Sequence, residues 1–176
     1  MYKNIMNLMN SLEERYHKDI TDNTIENTEN EFNILLAIDP ITIACSGLSI
    51  AAGGVLHFEN EKVPAIMVDH IYLNMNKSDK SFIIAHELGH LVCQLDKFKA
   101  TGYTRNIEDE FEADEYALRQ VGFKTTIKAL INVTGILANN YASKEQLNEM
   151  KLRIKNIINK SMITWFSKLS FSMFHK

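Results

Sequence analysis

The chain is poor in the residues that punctuate or cross-link a protein. Its 176 residues include 2 Cys, 2 Pro, 7 Gly and 1 Trp. Two cysteines, Cys45 and Cys93, cannot supply the disulfide framework of a small secreted domain, and they suit a reducing compartment. So little Gly and Pro excludes a collagen-like chain, and a hydrophobic content of 45% excludes intrinsic disorder. No sign of charge dominates: 19 Lys plus Arg face 22 Asp plus Glu, a formal balance of -3. That balance is too even for a nucleic-acid scavenger, and no nucleic-acid partner is expected. The length suits one domain. Residues 1–160 read as that domain, and residues 161–176 as an aromatic and basic tail.

A signal peptide and a clear membrane span are also missing from the pattern. Ile5, Leu8, Met9, Leu12, Tyr16 and Ile20 recur at helical spacing, and Glu13 and Glu14 interrupt any apolar run there. Residues 40–58 carry no formal charge and approach the length of a span. However, Ser46, Gly47, Ser49, Gly53, Gly54 and His57 lower its hydropathy, and Ile41, Ile43, Val55 and Leu56 favour strand. Buried strands are the expectation. In the tail, Ile163, Trp165, Phe166, Leu169, Phe171 and Phe174 alternate with Lys160, Lys168 and Lys176. Packing on the domain is the first reading of this tail. A membrane-surface helix and a segment lying in a cleft are the alternatives. A cytoplasmic location is expected, with membrane contact not favoured.

The periodicity gives an element order. Residues 18–30 are rich in Asp, Asn, Thr and Glu and read as a loop, and Phe32–Ile38 is a short apolar run stopped by Asp39-Pro40. Gly53–Phe58 and Val63–Val68 flank the polar break Glu59–Lys62 and read as a hairpin. Pro64 assigns the second run to an edge strand, or lies in its first residues, because proline donates nothing to a ladder. A helix follows through Phe82, Ile83, Leu88, Leu91, Val92 and Leu95, with Ser78 or Asp79 as its cap. Further helices are expected at 107–121, ending at Gly122, and at about 124–138 and 143–160. Helix, strands, then helices make an α+β domain.

Within the first of these helices lies His86-Glu87-Leu88-Gly89-His90. At 3.6 residues per turn, His86 and His90 share a face one turn apart, so two imidazoles can hold one zinc ion. Glu87 follows the first ligand and can act on water at that ion. A third ligand must come from another element. Six of the 22 acids crowd into residues 108–115: Glu108, Asp109, Glu110, Glu112, Asp114 and Glu115. Crowding them on one helix is costly by repulsion, and a nearby dication relieves it. Glu110 reads as the third ligand. Asp114, one turn on, reads as the acceptor for a ligand histidine's second ring nitrogen. Glu108, Asp109 and Glu115 read as a solvated face. His57 and His70 read as packed or surface histidines.

His86-Glu87-Leu88-Gly89-His90 followed by Glu110-Phe111-Glu112-Ala113-Asp114 resembles the signature of gluzincin metallopeptidases. It is similar to the branch holding HtpX-like and CAAX prenyl proteases, whose second motif is Glu-x-x-Ala-Asp. Residues 54–90 also resemble ImmA/IrrE-type regulatory peptidases, in which a strand hairpin precedes the same helix. The resemblance covers roughly residues 47–135. It implies a minimal zincin-like domain: a small mixed sheet, the His-Glu-x-x-His helix, a helix bearing the glutamate ligand, and C-terminal helices. It implies one zinc per chain on His86, His90 and Glu110, with Asp114 behind them and Glu87 as the catalytic base. The activity implied is zinc-dependent endopeptidase action on a peptide or protein substrate, with an extended peptide aligned along the edge strand at Ala65–Asp69.

An oxyanion-stabilising donor is also needed. Tyr103, Arg105, His70 and Arg119 are candidates, and none sits at a matching motif position. The alternatives are a regulatory peptidase that cuts one partner protein and a zinc-stabilised binding protein without turnover. A third is a deformylase-like hydrolase using Cys45 as a ligand. Against this last reading, Gly89 stands where deformylases carry Asp.

Overall fold

The computed structural model describes residues 35–38, 50–58, 61–99, 106–140 and 142–174. The expected N-terminal helix and the 18–30 loop lie outside these residues, as do Cys45, Tyr103 and Arg105. The described elements, in chain order, are strands β1 (Leu35–Ile38), β2 (Ala51–Phe58) and β3 (Glu61–Val68), then five helices. The helices are α1 (His70–Leu73), α2 (Lys77–Lys99), α3 (Ile107–Val121), α4 (Phe123–Asn139) and α5 (Lys144–Phe174). The architecture is α+β, and its three-stranded sheet is mixed. Strand β2 pairs antiparallel to β3, from Ala51 opposite Val68 to Phe58 opposite Glu61. Strand β1 pairs parallel to β3, from Leu35 opposite Ala65 to Ile38 opposite Val68.

The strand order β1-β3-β2 corrects one expectation. Strand β3 is central, not an edge, so Ala65–Val68 is bonded on both sides. Pro64 is tolerated because the β1 ladder begins only at Ala65, one residue later. Ala65, Ile66, Met67 and Val68 are all buried, as befits a strand covered on both faces. Among the described residues, β1 and β2 are the two edge strands, and β2 is the longer of them.

Helix α2 is the centre of the molecule. It packs on β2, β3, α3 and α4, and residues 79–91 are buried without a break. A helix enclosed on every face has no solvent stripe, which is why polar His86, Glu87, His90 and Gln94 end up inside. Its N-terminus is capped by Asn76 rather than by Ser78 or Asp79. The Asn76 side chain accepts from the Asp79 amide at 3.0 Å and donates to the Asp79 carboxylate at 2.7 Å. That reciprocal pair satisfies a backbone donor that the first turn would otherwise leave open.

Helix α3 spans the range expected from the sequence. Asn106 and Asp109 form a capping box at its start. Gly122 ends it with φ of 82°, a left-handed value that favours glycine, and α4 begins at the next residue. Helix α4 covers α2 from the side away from the sheet, burying Ala129 and Leu130. Helix α5 packs on α3 and α4, burying Met150, Arg153 and Ile157, and its backbone continues without interruption past Lys160 to Phe174. Among the described residues, no helix is long and apolar enough to cross a membrane.

Candidate metal centre

Helix α2 presents His86 and His90 toward α3, and α3 presents Glu110 and Asp114 toward α2. The close approach of the two helices depends on Gly89. A Cβ placed there would come within 2.8 Å of the Ala113 Cα and 2.9 Å of the Ala113 carbonyl oxygen. Ala113 lies between Glu110 and Asp114, so the glycine in the first motif seats on the alanine in the second.

One ligand atom each from His86, His90 and Glu110 forms a buried group whose members all lie within 4.8 Å of one another. The Nε2 atoms of His86 and His90 are 3.1 Å apart. The Glu110 carboxylate oxygens lie 3.3 Å from the first and 3.4 Å from the second. The other ring nitrogens are engaged elsewhere. His86 Nδ1 lies 2.9 Å from Asp114 Oδ1, and His90 Nδ1 lies 2.9 Å from the Gln94 side-chain oxygen. Gln94 in turn donates to the Asp109 carbonyl at 2.6 Å. Each Nδ1 thus faces an acceptor oxygen, and a neutral ring that donates there leaves Nε2 as the inward-facing ligand atom. Held 3.1 Å apart, the two Nε2 atoms can share a proton or a metal ion. The donor chemistry fits a divalent ion that accepts nitrogen and carboxylate ligands.

Glu87 points elsewhere. Its carboxylate accepts a short hydrogen bond from the Gly53 amide on β2, at 2.5 Å. A Cβ at Gly53 would come within 2.6 Å of the Glu87 carbonyl oxygen, so this strand glycine permits the contact. Glu87 is buried and adds no atom to the three-residue group. The three-residue group thus lies between α2 and α3, and the Glu87 carboxylate is directed to β2. A separate cavity of about 620 Å³, lined by residues including Ile71, Asp79 and Asn132, contains none of these side chains.

Helix α5 adds a residue the motif pattern did not mark. Arg153 is 8% exposed and donates to both Asp114 oxygens, through Nε at 2.8 Å and Nη2 at 2.7 Å. Its Nη1 lies 3.0 Å from Glu110 Oε2, and its Nη2 lies 3.2 Å from His86 Nδ1. Three charges are thereby displaced from their ordinary values. Burial alone would raise the Glu110 and Asp114 carboxyls, but the Arg153 guanidinium, helped by His86, holds both well below the usual range. Burial and Arg153 press His86 toward neutrality, yet Asp114 and Glu110 outweigh them and push its pKa up to about 9.

Compared with protein-family models, curated proteins and solved structures, the chain matches none of them. The residues singled out in the sequence come together as follows. His86, His90, Glu110 and Asp114 converge, and Glu87, next to His86 in the chain, has its carboxylate on the Gly53 amide of β2. Of the oxyanion candidates, His70 and Arg119 are exposed, on α1 and α3. Asp109 departs from the solvated face expected of it. It is fully buried, closes the α3 capping box with Asn106, and lies 2.7 Å from Lys97 Nζ. Glu108 is exposed as expected, and Glu115 lies 2.8 Å from Lys160 Nζ. Gln94 had a signal in the sequence, since it extends the four-residue spacing of His86 and His90 by one step. Arg153 had none, being one of seven basic residues between Lys144 and Lys176.

Proposed function

We propose that this chain is a zinc-dependent peptidase built on a minimal zincin-like domain. The observation that carries the reading is Glu87. A purely structural zinc site closes its coordination with protein ligands and has no use for a further buried carboxylate on the same helix turn. Here a buried carboxylate adjacent to His86 in the chain stays outside the three-residue group and is oriented by a backbone amide of the neighbouring strand.

His86, His90 and Glu110 would hold the ion, with Asp114 and Gln94 fixing the two rings. A zinc ion so held supplies Lewis acidity, polarising a substrate carbonyl and making water acidic enough to be deprotonated near neutral pH. Glu87 takes that proton and returns it to the leaving amine, which a carboxylate can do by rotating between two positions. Among the described residues β1 and β2, rather than β3, are the edge strands, and β2, which reaches Glu87 through Gly53, is the one we assign to an extended peptide by strand addition. Gly53 places the β2 backbone against Glu87, so a peptide laid along β2 passes the base.

The test uses the full chain. Elemental analysis should find about one zinc per protein, lost in His86→Ala. Mass spectrometry of a mixed peptide pool should show cleavage by the wild type. Glu87→Gln should retain zinc and abolish that cleavage. A wild type that refuses added zinc sinks the proposal, and undiminished cleavage by Glu87→Gln removes the base from it.

A further inference from the structure

We infer that Arg153 is the positioning residue of this centre, the side chain through which α5 holds Glu110 and Asp114 in the arrangement that takes up the metal. The inference rests on the reading of His86, His90 and Glu110 as zinc ligands, and names the residue that sets their geometry.

The argument starts from the guanidinium's shape. It is planar and rigid, so fixing two of its nitrogens fixes the third. Nε and Nη2 grip the two oxygens of Asp114, and this leaves Nη1 aimed at Glu110 Oε2, 3.0 Å away. One cation thus sets the separation of two carboxylates that stand one turn apart on α3. The grip passes further. Asp114 Oδ1, held by Nη2 at 2.7 Å, is the same oxygen that lies 2.9 Å from His86 Nδ1. Arg153 orients Asp114, and Asp114 orients the His86 ring. Lysine, a point charge on a flexible stem, could neutralise the same carboxylates but could not set this geometry.

Two physical effects of Arg153 on metal uptake have opposite signs, and that makes the role decidable. A cation beside a dication repels it, so charge alone predicts that removing Arg153 tightens zinc binding. Positioning predicts the reverse, because partners of metal ligands typically contribute 10- to 100-fold in affinity. An ion pair that only joins α5 to α3 would change stability and leave the ligand geometry alone.

The experiment compares wild type, Arg153→Met and Arg153→Lys, with His86→Ala as the metal-site control. Zinc affinity is measured by competition with a chromophoric chelator, ligand geometry by visible absorption of the cobalt-loaded proteins, and folding by circular dichroism. Arg153→Met should bind zinc roughly 10- to 100-fold more weakly and shift the cobalt absorption. Arg153→Lys, keeping the charge but not the fork, should fall between. Zinc binding equal to or tighter than wild type, with an unchanged cobalt spectrum, overturns the inference and leaves the metal reading standing. If Arg153→Met fails to fold, Arg153→Lys decides by the same two readouts. A wild type that binds no zinc overturns the metal reading and this inference together, and the wild-type arm alone reveals it.

Discussion

Replacing Gly89 by alanine tests the packing that brings the two motifs together. Gly89 lies inside α2, where exchanging glycine for alanine ordinarily gains about 1 kcal/mol of helix propensity. At this position the added Cβ would lie 2.8 Å from the Ala113 Cα, 2.9 Å from the Ala113 oxygen and 3.1 Å from the Tyr116 Cβ. The first of these is roughly 0.7 Å short of a comfortable carbon–carbon separation of about 3.5 Å. The obstacle is the backbone of α3 rather than the end of a flexible side chain, so the helices themselves must part. Overpacking of this kind costs about 1–3 kcal/mol. Set against the propensity gain, the net loss is about 0–2 kcal/mol. A shift of several tenths of an ångström also exceeds the roughly 0.2 Å tolerance of a metal–ligand distance. Zinc affinity should therefore suffer more than stability does. Gly135, on α4, is the control, because a Cβ there meets nothing within 4 Å. Gly135→Ala should raise the melting temperature by roughly 2–4 °C. Gly89→Ala should leave it unchanged or lower it by up to about 8 °C, with zinc binding at least tenfold weaker. Both would be read by thermal melts of metal-free protein and by zinc titration. If Gly89→Ala is stabilised as much as Gly135→Ala and binds zinc like wild type, the described contact between α2 and α3 is wrong.

Other perturbations probe the remaining supports. Gln94→Leu removes the partner of His90 Nδ1 and frees that ring, so zinc affinity should fall roughly 10- to 100-fold by chelator competition while His86 keeps its Asp114 contact. Gly53→Ala would drive a Cβ into the Glu87 carbonyl, so peptide cleavage should fall much further than zinc affinity when the two are measured side by side. For pH, the sign follows from His86, whose pKa stands at about 9 in the metal-free protein, above its ordinary 6.5. The protonated ring contributes stability that is fully present below about 6.5 and lost as pH rises toward 9. Zinc needs the neutral ring, so binding should release a proton below pH 9 and tighten about tenfold per pH unit between 7 and 8. Isothermal titration in buffers of different ionisation heat would count that proton.

The residues of the candidate centre were legible in the sequence because they obey local helical geometry. His86 with His90 and Glu110 with Asp114 are both four residues apart, and a helix converts that spacing into a shared face whatever surrounds it. The bounds of α3 were legible for a similar reason: Asn106 and Gly122 act on their own backbone. Misreadings arose where a neighbour distant in sequence decides. Pro64 looked like an edge residue, and β3 became central because β1, which comes some 30 residues earlier, pairs only from Ala65 onward. Asp109 looked solvated, yet the cap it makes and the Lys97 beside it turn it inward. Arg153 could not be seen at all, because nothing in its own helix distinguishes it from the other cations there.

The separation between His86 and Arg153, 67 residues along the chain, bears on how the protein reaches its working state. The two histidines and Glu87 are adjacent on one helix and can form early. The carboxylates of α3 follow by a short connection. The arginine that compensates them can reach them only when α5 packs on α3. Before that step the buried acids lack their counter-charge, and closing so long a loop is slow compared with forming local turns. Assembly of the candidate centre is thus tied to completion of the fold: a chain halted after α4 would carry His86, His90 and Glu110 without the guanidinium that contacts Glu110 and Asp114.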